Sequence, residues 1–87
     1  MKFHITLSHT PESCPGAHGG TPSESMDWPA LANDAGVQLL SAVACQPVHT
    51  VFFVVEATDY QQLYDMLKPA GGFAKADISP VRDLLNP

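Results

Sequence analysis

The pattern of this sequence predicts an α+β domain whose elements run in the order β-α-β-β-α-β. Three observations carry that reading. Lys2 to Ser8 alternates apolar and polar residues, with Phe3, Ile5 and Leu7 on one face and His4, Thr6 and Ser8 on the other. Thr50 to Val55 is an almost unbroken β-branched and aromatic run, the composition of a central strand covered on both faces. Tyr60, Leu63, Tyr64 and Leu67 then recur at helical spacing.

The remaining elements follow in chain order. After the first strand, His9 to Pro22 holds three prolines and three glycines, which forbids a continuous helix or central strand. A loop this long in so small a domain is usually functional or disordered. Asp27 caps a short helix with Trp28 and Pro29 in its first turn and Gly36 at its end. Starting that helix at Ser23 would place Pro29 in its interior, at a cost of about 3 kcal/mol. Val37 to Cys45 reads as the second strand, Gln46-Pro47-Val48 as a turn, and His49 to Ala57 as the third strand. Thr58-Asp59-Tyr60-Gln61 has the form of a capping box, with Thr58 as the cap. Pro69 to Gly72 ends the second helix, Phe73 to Ile78 forms the last strand, and Pro80 to Pro87 is a tail or short turn.

This order is the split βαβ or ferredoxin-like pattern, an antiparallel sheet with two helices on one face. The first and third strands are expected side by side at its centre and, on this reading, parallel to each other. The sheet face away from the helices then carries His4, Thr6 and Ser8, with Phe52, Val54 and Glu56 beside them. Apolar residues on an uncovered face call for a cover, and a second copy of the same sheet is the simplest one, giving a homodimer.

At 87 residues the chain is one domain, 1–87, with room for a single core. A domain of this size commonly needs help from a metal or a partner subunit. An apolar content of 45 % excludes a disordered chain. The net charge of −5 argues against nucleic acid or an anionic membrane as partner, because both require a basic footprint. No apolar run approaches the roughly 20 residues of a membrane span. The start of the chain lacks the charged and apolar regions of a secretion signal, so a cytoplasmic protein is expected. In that setting Cys14 and Cys45 are expected as free thiols or metal thiolates rather than a disulfide.

Two segments carry a family resemblance. They are Val51-Phe52-Phe53-Val54-Val55-Glu56-Ala57-Thr58-Asp59-Tyr60-Gln61-Gln62-Leu63, where a strand hands over to a helix, and Phe73 to Val81. Together with a strand at the first residues, they resemble the dimeric α+β barrel superfamily, and most of all its small uncharacterised families. That superfamily also includes antibiotic-biosynthesis-type monooxygenases, muconolactone isomerases and haem-degrading enzymes. The likeness implies a fold and a homodimer, and no particular reaction. The Asn-Trp-His set of the haem degraders is not matched, since Trp28 lacks the expected partners, and haem degradation is not implied.

Chemistry concentrates in the opening segment. His9, Cys14 and His18 fall at even intervals along the Gly- and Pro-rich loop. Imidazole and thiolate are the ligand types of Zn, Cu(I) and non-haem Fe. Three ligands from one loop, completed by His4 or Glu56, would make a transition-metal site in a carrier, a sensor or a small metalloenzyme. His4, facing the dimer interior, also suits a general base, and the Glu56 carboxylate suits a metal ligand or a base. Cys45 and His49 flank the hairpin turn, near His4 on the parallel reading, as a second constellation. Tyr60, Tyr64 and Trp28 are expected as core or pocket lining. The competing reading is a cofactor-free isomerase or monooxygenase that takes a small cyclic metabolite into an apolar pocket, with a histidine moving the proton. A third is a non-catalytic binding module whose loop orders on meeting a partner.

Overall fold

The computed structural model describes residues 1–86, the side chains of Ala17 and His18 lying outside the described set. Four strands, β1 (Lys2–Ser8), β2 (Gln38–Cys45), β3 (Thr50–Glu56) and β4 (Lys75–Val81), form one sheet in the order β2-β3-β1-β4. Every neighbouring pair is antiparallel. Helices α1 (Trp28–Ala35) and α2 (Tyr60–Leu67) supply the second layer. This is the expected α+β arrangement, a four-stranded antiparallel sheet with two helices consistent with a ferredoxin-like fold.

Strand alternation decides which side chains meet the helices. Ile5 and Leu7 of β1 and Val51, Phe53 and Val55 of β3 are buried against Trp28, Ala32, Leu63, Met66 and Leu67. Phe53 is fully buried, with the Trp28 ring edge-on to it at 4.8 Å between centroids. The opposite face is partly open. His4, Thr6 and Ser8 share it with Thr50, Phe52, Val54 and Glu56, all of them half-buried.

The structure corrects two sheet expectations. Strand β3 is central but covered on one face only, since a single helix layer cannot shield both. Strands β1 and β3 are also antiparallel, with Lys2 opposite Glu56 and Ser8 opposite Thr50. In the split βαβ order it is β1 and β2 that share a direction, and β3 returns between them. Because directly paired residues always point to the same side, the composition of the open face is unaffected.

Local signals explain the helix ends. Asp27 caps α1 by accepting a bond from the Ala30 amide at 3.2 Å. Gly36 stops it with φ of 76°, a left-handed conformation that a side chain would strain. The cap of α2 is Asp59 rather than Thr58. Its carboxylate accepts from the Gln62 amide at 3.0 Å, and Gln62 Oε1 accepts in return from the Thr58 amide and hydroxyl. A carboxylate at the cap also suits the positive end of the helix dipole. The last strand begins at Lys75, two residues later than expected, and runs through Pro80, which sits on a sheet edge where no amide is needed.

Beyond β4, Asp83 ties the tail to β1 through Lys2 Nζ at 3.2 Å. The Leu85 amide, then the Asn86 amide and Lys2, hold the Asp83 carboxyl below its ordinary pKa. A carboxyl depressed in the folded state stabilises the fold above its unfolded pKa and loses that contribution as pH falls through its folded one. The Leu85 and Asn86 amides should therefore lose exchange protection on acidification below the ordinary carboxylate range, measured by hydrogen exchange. Asp59→Ala should lower unfolding stability by about 1 kcal/mol in urea titration, the usual effect of losing a cap.

Candidate metal centre

The antiparallel register sets the centre of the site. Since Ser8 lies opposite Thr50, the next pair along is His9 and His49, and the His9 amide donates to the His49 carbonyl at 3.2 Å. His9 keeps the parity of Ile5 and Leu7, so its ring turns inward, and the residue is only 8 % exposed. His49 closes the 3-10 turn Gln46–Val48, its amide donating to the Gln46 carbonyl. Its φ of 51° and ψ of 47° put it in the left-handed region, where non-glycine residues are uncommon and histidine is among the better tolerated. That backbone aims the His49 ring back at His9. The rings meet edge to face, 5.0 Å between centroids, with His9 Nε2 and His49 Nδ1 3.1 Å apart. One nitrogen carries the shared hydrogen, and the other must present a lone pair.

The far side of His9 is held by its surroundings. Ser23 Oγ, on a fully buried residue, lies 3.4 Å from His9 Nδ1. The Ser23 carbonyl in turn accepts the Trp28 indole N–H at 2.7 Å. Phe73 stands edge-on to the His9 ring at 5.5 Å. His9 is thus fixed with Nε2 as the nitrogen facing its partners.

Cys14 reaches the same place from the loop. Thr10 and Ser13 close a short turn on each other, Thr10 N donating to Ser13 Oγ at 3.0 Å and Ser13 N to Thr10 Oγ1 at 3.1 Å. The Cys14 amide then donates to the Pro11 carbonyl, and Pro15 opens the 3-10 turn Pro15–His18. This fold-back leaves Cys14 a free thiol, 8 % exposed. One ligand atom each from His9, Cys14 and His49 lies within 4.8 Å of the others, the one such group among the described residues. Two imidazoles and a thiolate could hold a metal ion there.

The other expected site residues lie as follows. The His18 side chain is outside the described residues. His4 is on the open sheet face, opposite Val54 and Ser79, with its ring 6.2 Å from Phe52. Glu56 lies at the other end of the sheet, opposite Lys2, with a carboxylate oxygen 3.3 Å from the Met1 ammonium. Antiparallel pairing is the reason: it moves Glu56 away from His9 and brings His49 to it. For the same reason His49 is not beside His4. Cys45 is exposed and free, paired with Thr50 at the edge of the sheet. His49 is the member that spacing along the chain does not reveal, being 40 residues from His9. Trp28 is buried core, whereas Tyr60 and Tyr64 are exposed on a flank of α2.

No family model matches this chain, and no curated protein matches it at a significant level. No helix among the described residues is long and apolar enough to cross a membrane. Ser23→Ala should remove the one partner of His9 Nδ1 among the described residues and lower stability by about 1–3 kcal/mol, the cost of stranding a buried polar atom. Urea titration reads the stability, and imidazole nitrogen chemical shifts should show the His9 tautomer losing its preference.

Proposed function

We propose that this protein holds a transition metal ion between His9, Cys14 and His49. The observation that carries this reading is the convergence of three donors of the right kind, from the end of β1, the loop and the β2–β3 turn, with ligand atoms within 4.8 Å. The histidine pair is spaced for a small ion. Zn–N bonds of about 2.0–2.1 Å at tetrahedral angles put two imidazole nitrogens about 3.3–3.4 Å apart. The pair stands at 3.1 Å already. Binding then requires loss of the proton from the thiol and of the hydrogen shared by the rings, with the Cys14 Sγ drawn in to about 3.5–3.6 Å from each nitrogen.

The donor set suits Zn, Cu(I) or non-haem Fe. When bound, such an ion supplies Lewis-acid or redox chemistry at any position the protein leaves open. Cys14 and His9 close the buried side, so solvent and any exogenous ligand approach past the half-buried His49. His9 is the rigid ligand, with Ser23 as its outer partner, the arrangement that fixes a ligating imidazole. The role is that of a carrier, a sensor or a small metalloenzyme.

The homodimer belongs to the same proposal. The half-buried Phe52 and Val54 and the His4 ring form a mixed patch on the open face, and pairing two such faces back to back would complete the barrel implied by the sequence resemblance. A second reading rests on the His9–His49 bond, which is also the geometry of a proton relay: a metal-free protein would use it to move a proton in an isomerase or monooxygenase.

Elemental analysis of untagged protein separates the readings. We expect near-stoichiometric Zn, Cu or Fe in the parent and none in a Cys14→Ser, His49→Asn variant that stays folded, asparagine being tolerated in the left-handed region. A folded parent that carries no metal, and takes up neither Zn(II) nor Cu(I) on titration, would falsify the metal reading and favour the relay.

A further inference from the structure

A second feature of the molecule lies outside the histidine cluster. Between α2 and β4, on the helix side of the sheet, is a hollow of about 160 Å³. Its walls are apolar: Leu7, Leu67, Ala70, Ala74, Ala76 and Ile78. The cause is visible in the residues. Strand β4 sets Ala76 opposite Leu7 on the inner face, and Ala74 precedes it, where larger side chains would fill the layer. Helix α2 then ends at Leu67, and the chain turns away through Lys68–Ala70.

The mouth is different in character. Tyr60, Tyr64 and Lys68 border it at one-turn intervals along the flank of α2 and its cap. The two tyrosines are 68 % and 51 % exposed, so their rings stand as walls open to solvent rather than as core. Among the described residues Lys2 pairs with Asp83 and Lys75 with Asp77, whereas no carboxylate is within ion-pair reach of Lys68. Among the described residues no acidic one lines the hollow. In a chain of net charge −5, this is an ammonium left uncompensated at the edge of an apolar pocket.

We propose that this hollow binds a small carboxylate carrying one aromatic ring or a compact branched chain, the apolar part between α2 and β4 and the carboxylate at Lys68. The size fits, because a cavity of about 150 Å³ accepts one benzene ring. An apolar body with a few polar groups at the rim is the general anatomy of small-ligand sites. The cation selects the sign: a carboxylate gains a charge-assisted contact there, and an amine of the same shape is repelled. This site does not depend on the metal reading, since none of its lining residues is a ligand of the histidine cluster.

The test is titration of isotope-labelled full-length protein with benzoate, benzyl alcohol and benzylamine, followed by amide chemical shifts. Benzoate should saturate and perturb Leu7, Ala74 and Ala76, with benzyl alcohol weaker and benzylamine weakest. Ala76→Leu fills the hollow and should abolish the shifts while far-UV circular dichroism and thermal midpoint show a folded chain. Lys68→Gln should weaken benzoate by about threefold to fivefold, the effect of one exposed charge contact, and leave benzyl alcohol unchanged. Should Ala76→Leu fail to fold, Ala74→Val supplies the same filling from the neighbouring wall. Absence of saturable shifts with all three probes overturns the proposal, as does binding that survives filling of the hollow. Equal affinity for benzoate and benzylamine overturns the assignment to carboxylates. Binding seen only after deletion of residues 84–87 would assign the hollow to the chain's own exposed Leu84 and Leu85, and would also overturn it.

Discussion

The antiparallel pairing of β1 with β3 is the constraint on which the rest of this structure depends. It buries Ile5 and Leu7 beside Val51, Phe53 and Val55, and so makes the sheet side of the core. Continued by one residue, the same register joins the His9 amide to the His49 carbonyl and brings the two imidazoles to 3.1 Å. Core and cluster are consecutive stretches of one ladder. A slip of one residue would turn Ile5 and Leu7 outward, so the hydrophobic pattern that holds the core also holds the histidine pair.

Around that ladder the site is built from rigid parts. The Trp28 indole anchors the Ser23 carbonyl, the Ser23 hydroxyl faces His9 Nδ1, and His9 Nε2 faces His49. This chain begins at a core residue that packs on Phe53, so the orientation of the His9 ring is coupled to the main hydrophobic contact between helix and sheet. The left-handed backbone of His49 is the one positive φ at a non-glycine residue among those described. Such a conformation costs about 1–2 kcal/mol for an L-residue, and its position at the cluster is where backbone strain usually has a functional reason.

The helix layer is uneven. α1 and α2 cover β1 and β3 well, through Trp28, Ala32, Leu63 and Met66, each at most 5 % exposed, whereas the edge strand β2 is exposed at every residue but Leu39. Over β4 the small residues Ala74 and Ala76 leave the hollow beside α2. The cluster and the hollow therefore sit on the same face of the sheet. Leu7 lines the hollow two residues before His9 on the same side of β1, and Phe73 touches His9 one residue before Ala74, so the two features share their supporting strand and loop.

Much of the fold was legible in the residues themselves. Alternation over Lys2 to Ser8, the β-branched run from Thr50, the Asp27 cap and the Gly36 stop are local signals, each read within a few residues by backbone geometry and burial. The loop was legible as the place of chemistry through its density of histidine and cysteine, and His9 and Cys14 do meet there. The direction of β3 relative to β1 lay beyond local signals. A strand's alternation is the same read in either direction, so periodicity gives its faces but not its polarity. Only the closed topology, with β3 returning antiparallel between β1 and β2, decides that His49 and not Glu56 stands beside His9. The same holds for the cap of α2, where Thr58 and Asp59 compete and the position of Gln62 chooses Asp59. Sequence by itself determined the elements, the face that β1 buries and the kinds of ligand available. Tertiary structure decided which of those ligands meet, because that depends on chain direction across a distance of 40 residues.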